Sequence, residues 1–231
     1  MQRLIMPFEK QMMLCGYKTA EYYKEWGYHH YGVDISTIQG NAGRNPAAYA
    51  QGNGEVVTTG FDNSVGNCVI VIYPDCLIHK TGEHYDLVAR YCHLASIAVK
   101  AGDAVKAYDI LGVEGKSQTG DYHLHLEFEK DTKWPLYSPQ VSNKDDHLPA
   151  SKGNILLKAK TDTTVNPSFV MHVGAGQQIV KPTYNPAWLN PEDFVIPALI
   201  TAPVDTTDYK SLYGTIKPKA DKYDQICAII A

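Results

Sequence analysis

From Gly54 to Phe128 the chain is written in short apolar runs broken by glycines and charged turns. GEVVTTGF and NCVIVIYP read as two strands, rich in β-branched residues. The polar stretch DCLIHKTGEH turns the chain, and YDLVARYCHL returns along it. The turn signals of AGDAVKAYD follow, then the run ILGVEG, the glycine-bearing loop KSQTGDY and a last strand, HLHLEFEK. Runs of this length with glycine punctuation predict antiparallel sheet. Upstream, Tyr17–Trp26 fits either one short helix or an irregular loop. Residues 131–185 turn polar and irregular, which marks an insertion. PAWLNPEDFVI, at 186–196, is compact and partly apolar again, and from Thr201 the text reads as linker and tail. The expected organisation is one domain over 1–200, with a core at about 28–129, followed by a tail at 201–231.

The last strand carries the first sign of chemistry. Side chains on a strand alternate between faces, so His123, His125, Glu127 and Glu129 share one face and Leu124, Leu126 and Phe128 the other. The apolar face is expected in the core, and the polar face is either a solvated surface or a site of chemistry. Two imidazoles about 6.6 Å apart, at two rises of about 3.3 Å, allow one to bind a metal while the other addresses a substrate. They also allow both to bind one metal, and the spacing does not choose between these.

HYGVD, His30 to Asp34, places an imidazole and a carboxylate where they can converge on one cation. Catalytic zinc takes three protein ligands of this kind and keeps an open position. YCHL, Tyr91 to Leu94, ends a hairpin strand with Tyr91 and His93 expected on one side of it. Alone, each piece is also a common surface or core pattern.

Composition narrows the field. The net charge is -4 and no Lys/Arg cluster stands out, which argues against nucleic-acid binding. No run approaches the roughly 20 apolar residues of a membrane span. The N-terminus, MQRLIMPFEKQMML, does not read as a secretory signal. The five cysteines are odd in number and have no C-x-x-C spacing, so buried thiols are expected, with a Cys68–Cys76 bridge across a hairpin as the conceivable exception. Tyrosine is abundant, 16 against 5 Phe, which suits sheet and also suits sugar or peptide binding.

Taken in order, HYGVD, GEVV, NCVIVIY, YCHL, VKAGDAVKAYDILGVEG and SQTGDYHLHLEFE resemble the lysostaphin-type (LytM-like) zinc metallo-endopeptidases, which cleave peptidoglycan peptides. The resemblance covers about residues 28–129. It implies an all-β fold, antiparallel sheets in a barrel-sandwich hybrid arrangement with a groove over the metal. It implies Zn²⁺ held by His30, Asp34 and His125, with His93 and His123 as catalytic histidines that do not bind the metal. His29 is not expected to bind. Glu127 and Tyr91 are candidates for orienting a histidine or touching substrate. The implied partner is a peptidoglycan peptide and the implied place of action the bacterial cell wall, extracellular or periplasmic. Without a visible signal, either a leader has been removed or release is of the phage or mobile-element type. Two departures stand out: Gly-Asp-Tyr precedes the last strand, and Leu126 replaces the usual Phe. Neither touches an implied ligand.

Two other readings compete. The VKAGDAVKAYDILGVEG stretch also resembles the hairpin of lipoyl and biotinyl carriers, but no exposed-lysine motif accompanies it. A non-catalytic wall-binding or scaffold protein on the same fold is expected to have lost metal ligands, and this chain keeps them all. Residues 131–185, with Trp134, Tyr137 and Tyr184, are expected to wall the groove and govern substrate choice.

Overall fold

The computed structural model describes residues 1–37, 46–141, 154–180 and 186–199. One helix, α1 (Ala20–Trp26), accompanies a large sheet. In chain order its strands are β1 (Lys10–Cys15), β2 (Val33–Ser36), β3 (Gly54–Asp62), β4 (Gly66–Ile78), β5 (Glu83–Leu94), β6 (Ala104–Val105), β7 (Leu124–Glu129), β8 (Thr164–Val165) and β9 (Gln178–Ile179). Across the sheet they run β9-β1-β2-β7-β5-β4-β3-β6, with β8 also paired to β7. All neighbours are antiparallel except β9 and β1. A smaller sheet of Ala47–Tyr49, Ile110–Val113 and Ser96–Ile97 lies apart. The fold is all-β, as the sequence pattern predicts.

The hairpin of β4 and β5 is longer than the sequence suggests. DCLIHKTGEH was expected to turn throughout, but β4 runs on to Ile78. Asp75 adopts φ +50 where the register shifts between Tyr73 and Cys76, so the polar residue is absorbed by a bulge and the strand continues. The turn proper is tight, and Gly82 at φ +75 closes it by donating to the Ile78 carbonyl.

Alternation then sorts the side chains onto two faces. Val33, Val69, Tyr91, Leu126 and Phe128 enter the main core. Of the two readings open for the other face, a solvated surface and a site of chemistry, the solvated one does not hold. Every residue of β7 is buried, Glu127 and Glu129 included. The opposite face carries a second apolar cluster in which Cys68, Ile70, Ile72, Val88 and Cys92 meet Leu136, Val141 and Leu156. These last three come from the stretch expected to be a polar excursion. What looked irregular supplies the sheet with a cover.

Beneath that cover lies a buried charge network. Arg90, fully buried, donates to Glu127, to Glu129 and to the carbonyls of Pro135 and Tyr137. Ser138 Oγ donates to Glu127 and Thr163 Oγ1 to Glu129. Burial favours protonation of both carboxyls. At Glu127 the Arg90 charge wins and holds the carboxyl below its usual range, whereas at Glu129 burial wins and raises it.

Cys15, Cys68, Cys76 and Cys92 are buried free thiols. The conceived Cys68–Cys76 bridge does not form, because both lie on the one strand β4. Cys68 faces Cys92 instead, with the sulfurs 3.5 Å apart. Cys227, Tyr184 and the 201–231 tail lie outside the described residues.

The network generates a test. Arg90→Met leaves two buried carboxylates without their cation, a loss of the kind that costs about 3–5 kcal/mol. Urea denaturation of the purified variant should show that loss, and a change below about 1 kcal/mol would remove the network from the account.

Candidate metal centre

β7 is bonded on both sides in one register. His125 stands opposite Asp34 of β2 and opposite Cys92 of β5. Cross-strand partners share a face, so Asp34 and His125 emerge side by side. His30 arrives from the turn just before β2. Its Nδ1 faces the Gly16 carbonyl at 2.9 Å, and a carbonyl only accepts, so Nδ1 carries the proton. Nε2 therefore points its lone pair inward, 3.1 Å from Asp34 Oδ1 and 3.0 Å from His125 Nδ1. His125 Nδ1 lies 3.0 Å from the same Asp34 oxygen.

Three ligand atoms thus form a triangle with sides near 3 Å. A tetrahedral ion with bonds of about 2.1 Å spaces its ligands about 3.4 Å apart. The donor set and its tautomers fit zinc. On the far side of the His125 ring, Nε2 is buried and has no hydrogen-bond partner, with Glu127 Oε2 at 3.9 Å. Metal ligation through Nδ1 leaves the proton on Nε2, facing that carboxylate. Gly32 explains the G of HYGVD: a Cβ there would meet the His125 ring at 2.8 Å and the Leu126 carbonyl oxygen at 2.4 Å.

Protons compete for this triangle. Burial lowers the pKa of His30, but the Asp34 carboxylate outweighs it and the value is raised to about 9. At His125 burial again opposes and the Asp34 hydrogen bond again prevails, also giving about 9. The same contacts hold Asp34 well below its usual range.

Two more histidines face the triangle. His93 and His123 stack edge-on with ring centroids 4.9 Å apart, and His93 lies 6.2 Å from His125. His93 Nδ1 donates to the Ser117 carbonyl at 2.8 Å and His123 Nδ1 to the Asp121 carbonyl at 3.1 Å. Each therefore keeps an Nε2 lone pair free of backbone. His123 Nε2 stands 3.7 Å from Asp34 Oδ1. Burial, with the like charges of His125 and His123, pulls His93 down to about 4. All five residues line one open cleft of about 670 Å³.

Residues 28–136 match the model of peptidase family M23. The chain carries an M23-family domain. No curated protein matches the chain. Among solved structures, the SpoIIQ–SpoIIIAH pore-forming complex is 20% identical with TM-score 0.47, covering 74% of this chain and 92% of that one. Lysostaphin from Staphylococcus simulans is 20% identical with TM-score 0.45, covering 73% and 52%. A zinc-containing peptidase from Vibrio cholerae is 22% identical with TM-score 0.44, covering 55% and 36%. The chain thus spans about half of lysostaphin and about a third of the Vibrio peptidase.

Within the M23 domain, His30, Asp34, His93, His123 and His125, the set implied by the family resemblance, come together. Tyr91 does not. It is fully buried in the main core, bonded to Tyr73 and Gln51, on the opposite face of β5. The inference from alternation fails because His93 adopts φ +64, a left-handed conformation that turns its side chain toward the cleft. His29 stays outside the triangle, packed against Tyr23 and Tyr31.

Several contributors escaped the sequence reading. Arg90 could have been suspected as the charge inside the apolar run LVARYC. Tyr22 of α1 stacks on His30 with centroids 4.6 Å apart, and Trp188 stands edge-on to it at 6.1 Å. Cys15 lines the same cleft. Trp26 and Tyr28, 58% and 43% exposed, extend this aromatic wall, so among the described residues it rises from α1 and the chain just after it. Trp134 and Tyr137 pack on each other away from the cleft, and Gln140 alone of the described residues of that stretch lines it.

A divalent cation entering the M23 domain must displace the protons that His30 and His125 hold. Affinity should therefore rise with pH up to about 9, up to tenfold per unit for each proton displaced. Chelator competition at about pH 6.5 and about pH 8.5 should show at least tenfold tighter zinc binding at the higher pH. Equal affinities, after correction for the chelator, would contradict this protonation pattern.

Proposed function

We propose that the chain is a zinc-dependent endopeptidase that hydrolyses peptide bonds in bacterial peptidoglycan, in stem peptides or cross-bridges. In this reading His30, Asp34 and His125 hold the ion, and the site acts at the cell wall. The observation that carries it is the triangle of three donor atoms at the floor of an open cleft, flanked by two histidines with free Nε2 atoms. Membership of the M23 family supports the same reaction class. Among the described residues no helix is long and apolar enough to cross a membrane.

When bound, zinc polarises a peptide carbonyl and acidifies water. The chain's own groups do the rest. His93 is neutral at ordinary pH, so its Nε2 accepts a proton or a hydrogen bond at the reacting centre. His123 Nε2, on the Asp34 side, is placed to return a proton to the departing amine. The Ser117 and Asp121 carbonyls hold both rings in the tautomer this needs. Glu127 sits behind His125 and is itself held by Arg90 and Ser138, so it orients the ligand imidazole. The aromatic wall of Tyr22, Trp26 and Tyr28 offers flat faces to a peptide or sugar. A purely structural scaffold has no use for this converged donor set.

Two measurements check this. The purified protein should carry about one zinc, and His125→Ala should lose it by atomic absorption. Full metal retention in that variant sinks the ligand assignment. His93→Ala and His123→Ala should each keep zinc yet lose about 10²–10⁴-fold in cleavage of purified cell walls. Activity within about twofold of wild type in both would remove them from the reaction.

A further inference from the structure

The sheet places one more donor in the same row. β1 pairs with β2 so that Met13 stands opposite Ile35, but the next pair is Cys15 opposite Asp34, not Leu14 opposite Asp34. A bulge at Leu14 has shifted the strand by one residue. A one-residue shift moves a side chain to the other face. Regular pairing would have set a leucine beside Asp34. The bulge sets a thiol there, so Cys15, Asp34 and His125 stand in line on one face across three strands.

The sulfur of Cys15, a ring nitrogen of His30 and a carboxylate oxygen of Asp34 all lie within 4.8 Å of one another. Cys15 is 5% exposed and lines the cleft. A second feature points the same way. The Thr19 hydroxyl, on a residue 2% exposed, lies against the Cys15 thiol and has no other polar partner. A buried hydroxyl needs an acceptor, and the sulfur of Cys15 is the one within its reach. Neither feature suits a thiol that merely fills apolar space.

Resting on the zinc reading above, we propose that Cys15 is a fourth protein donor to the ion, giving a resting His₂-Asp-Cys set. The thiol loses its proton to solvent and the sulfur lone pair forms the bond to the metal. Thiolate sulfur binds zinc well, and four protein donors make a closed site. The resting cleft would then be closed to water at the metal, and release of the sulfur would open it. The Cys15 side chain would then be the latch on the centre, carried by a strand paired on both sides.

Cobalt(II) tests this without relying on turnover. One equivalent added to the metal-free full chain should give visible d–d bands and, in addition, a near-ultraviolet sulfur-to-cobalt charge-transfer band. Cys15→Ser should keep the visible bands and lose the near-ultraviolet one. Zinc-edge X-ray absorption on the wild type asks the same question with no variant, and one sulfur neighbour at about 2.3 Å is expected. Visible bands without a charge-transfer band, or a shell of nitrogen and oxygen alone, overturn the inference and leave the zinc reading standing. A charge-transfer band that survives in Cys15→Ser also overturns it, because another thiol is then the donor. Failure to bind cobalt or zinc at all defeats the zinc reading itself, and this inference with it.

Discussion

The centre depends on one strand bonded on both sides in one register. β7 sets His125 opposite Asp34 of one neighbour and opposite Cys92 of the other. A slip of one residue would turn Leu126 toward the cleft and bury His125 in the main core. Close backbone approach at Gly32 and the carbonyl of Gly16 then fix where His30 meets this pair. Residues 30 and 125, far apart in the chain, end with nitrogens 3.0 Å apart because the ladder leaves them nowhere else to go.

The polar face of that strand survives burial because it is paired along its length. Next to His125 comes Glu127, then Glu129, with Arg90 facing both from β5. Uncompensated, such charges would be among the most costly groups to place inside a protein. The guanidinium also holds the carbonyls of Pro135 and Tyr137, so the chain just after β7 is fastened over the same charges. The metal ligand, the carboxylate behind it and the cover of the sheet are in this way one connected unit. His93 departs from regular strand geometry at the edge of that unit, at φ +64, and thereby faces the cleft.

Much of this was legible beforehand. The period-2 text of HLHLEFE, the apolar runs before it and the turn residues between them report strands directly, because alternation and turn chemistry are local properties. HYGVD, YCHL and HLHLEFE, through the family they resemble, implied the five residues that meet in the cleft. What failed was non-local. Tyr91 was placed on the face of His93 because alternation was carried through a residue that adopts a left-handed conformation. The burial of Glu127 and Glu129 was not legible, because the residues that cover this face, Leu136, Val141 and Leu156, lie in polar text where no period marks them. The bulge at Leu14 left no trace in QMMLCGY, so Cys15 read as one buried thiol among several. The aromatic wall was sought in the insertion, whereas among the described residues the short helix ahead of HYGVD and its neighbours supply it.

The most direct measurement of the central claim is an anomalous-difference map at the zinc edge from a crystal of the zinc-loaded protein. The account predicts one strong peak bonded to His30 Nε2, Asp34 Oδ1 and His125 Nδ1, each at about 2.0–2.2 Å. A peak at other residues, or none within reach of these three atoms, would contradict it.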